Sequence, residues 1–168
     1  MFIRPIKISD AEQIVDIMRQ PNVLPNIVSL PSLRAASFET RLRNATSENH
    51  DFVAEDNGKV VGMIGLSQGK GRRAHTGSLF LFVDEDYHGK GIGSLLLQKV
   101  IDLADNWLLL ERIDLTVIET NLGAKKLYEK YGFKEEGYKA GTIIQNGSLV
   151  GEIMMARFLP GGRIETSD

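Results

Sequence analysis

Hydrophobic and polar positions along the chain follow two periods, and the switches between them mark out eleven elements. Phe2 to Ile6 alternates weakly and predicts a first strand, with Pro5 placing it at a sheet edge. Ser9-Asp10-Ala11-Glu12 matches a capping box, and Ile14, Val15, Ile17 and Met18 give the helix behind it an apolar face. Pro21, Pro25 and Pro31 exclude continuous helix over 21–31, and a second helix is expected from about Leu33 to Asn44. Asp51 to Glu55 and Lys59 to Ser67 read as strands joined at Asn57-Gly58, a strong hairpin signal. A glycine-containing basic loop from Gln68 to Thr76 carries Lys70, Arg72, Arg73 and His75. A solvated hairpin tip is the simplest reading of that loop; contact with an acidic partner or a ligand phosphate is the alternative.

The fourth strand, Gly77 to Val83, leads into a helix with Ile92, Leu95, Leu96, Val100, Leu103, Ala104 and Trp107 on one stripe. Trp107 is therefore expected in the core. Ile113 to Val117 alternates as a strand. A helix follows from about Leu122 to Lys130, and Gly132 is suited to a left-handed cap. Phe133 opens a last hairpin that turns at Asn146-Gly147 and returns from Leu149 to Phe158. The order β-α-α-β-β-β-α-β-α-β-β predicts an α+β fold: a mostly antiparallel seven-stranded sheet with helices on both faces. One domain is expected over 1–159, with a polar, flexible tail over 160–168.

Composition narrows the function classes. The 168 residues carry a net charge of −2 with 25% charged and 42% hydrophobic residues, an ordinary globular balance. That balance offers no electrostatic argument for nucleic acid or for an anionic membrane. No apolar run approaches the ~20 residues of a membrane span, and MFIRPIKISD lacks a signal-peptide core, so the cytoplasm is the expected location. With no cysteine there is neither thiolate chemistry nor a disulfide, and three scattered histidines predict no metal site. His50 and His88 read as surface residues.

The chemistry concentrates in Val83 to Leu97, VDEDYHGKGIGSLLL. Gly89, Gly91 and Gly93 stand at alternate positions directly before an amphipathic helix. Glycine lets backbone N–H groups approach a ligand, and the helix adds its unpaired first N–H groups and the positive end of its dipole. The pattern predicts an anion site, most simply for phosphate or pyrophosphate. It is not the dinucleotide fingerprint, because Ser94 stands where a glycine or alanine is required; nor is it a P-loop, because Ile64 and Gly71 break the near miss at Gly69-Lys70.

His88-Gly89-Lys90-Gly91-Ile92-Gly93 resembles the acyl-CoA loop of the GNAT N-acetyltransferase superfamily, Q/R-x-x-G-x-G/A, with His88 departing from its first position. Downstream, Asn121, Ala124, Tyr128, Gly132 and Phe133 resemble a second GNAT pattern, N-x-x-A-x-x-x-Y-x-x-x-G-F. The resemblance spans roughly 2–158 and implies the GNAT fold, with the parallel fourth and fifth strands splayed to admit acetyl-CoA. It implies backbone contacts to the pantetheine arm near Phe82 and Val83. The pyrophosphate would rest on N–H groups of His88, Gly89, Lys90, Gly91, Ile92, Gly93 and Ser94, with the Lys90 charge close by. Asn121 would bind the arm or a water besides capping its helix. Tyr128 would be the general acid that protonates the CoA thiolate, and a backbone N–H near Val83 would polarise the thioester.

The base is less determined. Some relatives carry a strand glutamate where this chain has Gly77, and no carboxylate lies between Gly77 and Val83. Glu119 at the end of the fifth strand is the preferred candidate, with Asp84, Glu85, His75 or a water chain as alternatives. The resemblance implies acetyl transfer to a primary amine of a small molecule: an amino acid, an amino-acid analogue or a polyamine. A protein or peptide amine is a second reading, and a non-catalytic acyl-CoA-binding module a third. GNAT relatives are often dimers, so a homodimer is also open.

Overall fold

Seven strands form one sheet: β1 (Phe2–Pro5), β2 (Asn49–Asp56), β3 (Lys59–Gln68), β4 (Thr76–Val83), β5 (Arg112–Ile118), β6 (Lys134–Gln145) and β7 (Ser148–Phe158). Their spatial order is β1-β2-β3-β4-β5-β7-β6, and every pairing is antiparallel except β4 with β5. The computed structural model describes residues 1–164. Both predicted hairpins close through left-handed pairs, Asn57 (φ 49°) with Gly58 (81°) and Asn146 (50°) with Gly147 (79°). Two-residue turns of this kind match the twist of the flanking strands.

Four helices cover the sheet: α1 (Ala11–Met18), α2 (Ala35–Arg43), α3 (Ile92–Leu103) and α4 (Leu122–Lys130). One core, on the α1 and α2 face, gathers Ile14, Val15, Phe38, Val53, Met63 and Phe82. The other, under α3 and α4, gathers Ile64, Leu66, Leu96, Val100, Leu115, Tyr128 and Met155. The near-continuous apolar run of β3 reflects burial on both faces. Among the described residues, no helix is long and apolar enough to cross a membrane.

The splay between β4 and β5 follows from the register. The two strands pair only over Thr76–Ser78 with Arg112–Asp114, while β4 stays paired to β3 as far as Val83. The Asp84 N–H donates to the Val61 carbonyl at 3.0 Å, which sets the phase of that ladder. Phe80 and Phe82 therefore direct their backbone groups to β3, and Leu79, Leu81 and Val83 direct theirs to the β5 side. Beyond Ser78 no strand among the described residues meets them there. The free backbone groups in the wedge thus belong to Leu81 and Val83 rather than to Phe82 and Val83.

Three local expectations change. Asp10, rather than Ser9, organises the first helical turn: its carboxylate accepts the Lys7 N–H at 2.7 Å and both arms of the Arg4 guanidinium at 2.8 Å. Charge-assisted bonds outcompete a serine hydroxyl. Trp107 is 76% exposed and Leu95 is also exposed, with Leu97 taking the inward place on α3. Residues Ala104–Leu108 wind as a π-helical turn, which breaks the 3.6-residue stripe, and Arg157 holds Asp105 by two bonds of 2.8 and 2.7 Å on the sheet side. Trp107 then falls on the outer side. His50 is half-buried, with its Nε2 enclosed and unpaired among the described residues.

Part of the segment expected to be a flexible tail is held: Arg163 donates from its backbone N–H and its Nε to the Glu111 carboxylate, both at 2.8 Å. Residues 165–168 lie outside the described residues. The basic loop carrying Lys70, Arg72 and Arg73 joins β3 to the start of β4, whereas the glycine loop follows the end of β4. Eight strand residues separate them by roughly 23 Å at ~3.3 Å per residue, so the basic loop and the glycine loop stand at opposite ends of β4.

Candidate active site

The wedge opens into a cavity of about 480 Å³. Its walls are the end of β4 (Leu81, Phe82, Val83), the glycine loop, one side of α4 from Gly123 to Tyr128 and the 22–27 stretch between α1 and α2. That stretch is fastened at both ends. The Asn22 N–H donates to Glu85 Oε2 at 3.0 Å, and Glu85 N–H donates to Gln20 Oε1 at 2.8 Å. At the far end Gln145 Nε2 donates to the Pro25 carbonyl at 2.8 Å, so the β6–β7 hairpin holds the loop over the cavity.

At one end lies the predicted anion site. Asp84 is fully buried; its Oδ1 accepts the Asp86 N–H at 3.0 Å and its Oδ2 lies 2.8 Å from Lys59 Nζ. Burial alone would raise the Asp84 carboxyl, but Lys59 and the Asp86 N–H outweigh it and hold it below the usual carboxylate range. This anchored turn delivers the chain into the loop. Gly89 (φ 73°) and Gly91 (φ 81°) occupy left-handed conformations that disfavour any side chain. Gly93 has a different role: a Cβ there would stand 3.0 Å from Leu127 Cδ2, so its absence lets α3 approach α4.

Not all seven expected amides are available. His88 N–H donates to Glu85 O and Lys90 N–H to Tyr87 O. The N–H groups of Gly89, Gly91, Ile92, Gly93 and Ser94 have no protein acceptor among the described residues. Lys90 does not line the cavity; its Nζ lies 4.7 Å from the centre of the Tyr87 ring. The His88 ring, departing from the family's long polar residue, places Nε2 2.8 Å from the Val83 carbonyl, one of the groups the splay leaves unpaired.

Tyr128 also lines the cavity; it is 5% exposed, with its ring edge-on to Phe133 at 5.8 Å. Burial pushes its phenol well above the ordinary tyrosine range, and its hydroxyl has no protein partner among the described residues. Asn121 caps α4 by accepting the Ala124 N–H at 3.2 Å, and it too lines the cavity. Glu119, two residues earlier, is not among the lining residues. Its carboxylate accepts the Gly151 N–H at 2.6 Å and the Tyr138 hydroxyl at 2.9 Å, tying the end of β5 to β7 and β6. The other base candidates are placed elsewhere: Asp84 and Glu85 hold the corner, and His75 is exposed before the start of β4. Among the described residues no three His, Cys, Asp or Glu gather as a metal site.

The sequence reading missed Leu81 and Leu127 as cavity walls and missed Asp51 altogether. The alternation of β4 could have found Leu81. Asp51 becomes notable only in three dimensions, where burial raises its carboxyl despite the neighbouring Arg41.

The Acetyltransferase (GNAT) family model matches residues 13–133. L-amino acid N-acetyltransferase AaaT of Escherichia coli is 35% identical over 158 residues, covering 94% of this chain and 97% of that protein. A spermine/spermidine N(1)-acetyltransferase of Bacillus subtilis is 38% identical over a shorter stretch of 56 residues, 33% of this chain and 37% of that protein. Among solved structures, an acetyltransferase of the GNAT family from Streptococcus pneumoniae superposes with a TM-score of 0.81 at 28% identity, covering 94% of this chain and 99% of that one. A β4–β5 wedge that ends on an amide-lined glycine loop, together with these matches, makes the chain an N-acetyltransferase of the GNAT family.

Proposed function

We propose that this N-acetyltransferase moves the acetyl group of acetyl-CoA directly to the primary amine of a small molecule: an amino acid, an amino-acid analogue or a polyamine. The observation that carries this reading is one cavity lined both by five amides without a protein acceptor among the described residues and by Tyr128. Such a cavity suits a long donor with an anionic head and a reactive tail. Gly89, Gly91, Ile92, Gly93 and Ser94 would hold the pyrophosphate, and Leu81 and Val83 would bond the pantetheine amides.

The reaction joins the acceptor nitrogen to the acetyl carbon and breaks the carbon–sulfur bond. A backbone N–H of Leu81 or Val83 would stabilise the developing oxyanion. Tyr128 would give its proton to the leaving thiolate and recover one from solvent. Its raised pKa does not disqualify it, because a thiolate released beside the buried phenol is also desolvated and takes up a proton more readily. The acceptor loses one proton as it reacts. In this reading Glu119 receives that proton through solvent; its bonds from Gly151 and Tyr138 mark a strap role that competes with it. Glu119→Gln keeps most of the strap and removes the base, so a fall in kcat with unchanged folding and unchanged acetyl-CoA affinity supports the base role.

The whole reading is tested by following thiol release from acetyl-CoA against amino acids, polyamines and N-terminal peptides. Turnover on small amines is expected. Turnover confined to peptides would replace the small-molecule reading, and silence on every amine despite CoA binding would favour a non-catalytic module.

A further inference from the structure

Three arginines of this chain are each held by both arms of a fork. Arg4 grips Asp10 with two bonds of 2.8 Å and adds Glu55, Arg112 grips Glu136, and Arg157 grips Asp105. Arg41 is different. It makes one contact, 3.3 Å from Nη2 to Asp51 Oδ2, and its remaining donors have no protein acceptor among the described residues. Its guanidinium carbon lies 5.1 Å from the centre of the Phe38 ring and 5.3 Å from that of Phe80. Two aromatic faces thus hold the cation in place without using its N–H groups.

The location gives this a meaning. Phe80 and Phe82 share one face of β4, with ring centres 6.3 Å apart and planes 19° apart. Phe82 lines the cavity, so Arg41 stands one further ring away along the same aromatic track, on the α1–α2 side of the sheet. The side chain of Arg41 is 40% exposed, while that of Asp51 is 7% exposed. Gly65 clears the ground between them, since a Cβ there would collide with both the Phe80 ring and the Asp51 carboxylate. Burial holds the Asp51 carboxyl above its ordinary range, so Arg41 compensates that charge only weakly.

We infer that Arg41 is the specificity residue for the acceptor, receiving the carboxylate of an amino acid whose amine lies over Phe80, one ring out from the cavity-lining Phe82. A planar guanidinium with free, pre-placed donors matches a carboxylate in two-bond geometry. The same positive charge over the acceptor face disfavours polyamines. This inference rests on the proposed transfer to small amines and names one class among them.

The test compares an amino acid with its carboxamide as acceptors, for the native protein and for Arg41→Gln. For the native protein kcat/KM should favour the acid by about tenfold or more, the size of a charge-assisted pair. Arg41→Gln should raise KM for the acid ~10–100-fold, leave KM for the amide nearly unchanged, and leave acetyl-CoA affinity intact. Arg41→Lys, which keeps the charge but loses the fork, should fall between. Equal effects on acid and amide, or none on the acid, would overturn the assignment. If Arg41→Gln does not fold, the native preference decides: an amide used as well as the acid, or polyamines used in place of both, removes the carboxylate site while leaving acetyl transfer standing. No turnover on any amine would instead remove the transfer reading itself.

Discussion

Replacing Tyr128 by phenylalanine removes one oxygen atom from a nearly closed site and leaves the packing alone. The ring stays edge-on to Phe133 at 5.8 Å and within the core under α4. Because the hydroxyl has no protein partner among the described residues, losing it breaks no hydrogen bond, and the change in stability should stay within about 0.5 kcal/mol. Catalysis should respond very differently. General acid catalysis contributes about 100-fold or more, so kcat should fall by at least that factor, about 2.7 kcal/mol in the barrier. Acetyl-CoA affinity should change little, since the anionic head is assigned to backbone amides of the glycine loop, which the substitution leaves alone. The assay is thiol release at saturating acceptor, with calorimetric titration of CoA and a thermal melt alongside. Burial keeps the native phenol protonated well past its ordinary range, so the alkaline limb of the native profile should not report Tyr128. Full turnover by Tyr128→Phe with normal CoA affinity would refute the acid assignment.

Other expectations follow from the same geometry. Gly91→Val places a β-branched residue at φ 81°, a conformation that costs about 1–2 kcal/mol even for an unbranched side chain; acetyl-CoA affinity measured by calorimetry should fall at least tenfold. His88→Ala frees the Val83 carbonyl, and acetyl-CoA should bind equally well or better; a large loss of affinity would show that the ring contributes to the site instead. For Asp10, burial acts to raise the carboxyl, yet Arg4 and the Lys7 N–H hold it below its ordinary value. A depressed carboxyl stabilises the fold above its unfolded pKa of about 4, and this contribution is lost as pH falls from there through the lower folded value. Asp10→Asn should therefore weaken the fold at neutral pH and flatten the acid limb of stability, read from denaturant melts at a series of pH values. Trp107→Ser should leave the melting temperature almost unchanged, where a core tryptophan would cost about 3 kcal/mol or more.

Much of this was readable along the chain because it is local. Asn57-Gly58 and Asn146-Gly147 carry their turn geometry in two residues, and the three alternating glycines around the start of α3 announce an anion site without any knowledge of the fold. The unread features depend on partners distant in sequence. Trp107 fits the apolar stripe of α3 until a π-helical turn, fastened through Asp105 to Arg157, rotates it outward. Asp10 outranks Ser9 through a nearer partner, Arg4, which lies only six residues back but on β1, so reading the helix start by itself does not show it. The division of β4 into engaged Phe82 and free Leu81 and Val83 needs the register against β3, which alternation alone cannot supply. Arg41 and Asp51 look like ordinary surface charges until α2 is laid against Phe80.

The central claim is that the wedge and the glycine loop together hold acetyl-CoA, and amide chemical shifts read it residue by residue. On titration with CoA, the N–H signals of Gly89, Gly91, Ile92, Gly93 and Ser94 should move together with those of Leu81 and Val83. Pantetheine, which lacks the pyrophosphate, should move Leu81 and Val83 and leave the loop amides nearly still. Shifts that avoid the loop on addition of CoA, or that gather at the basic turn around Arg72 and Arg73, would contradict the account.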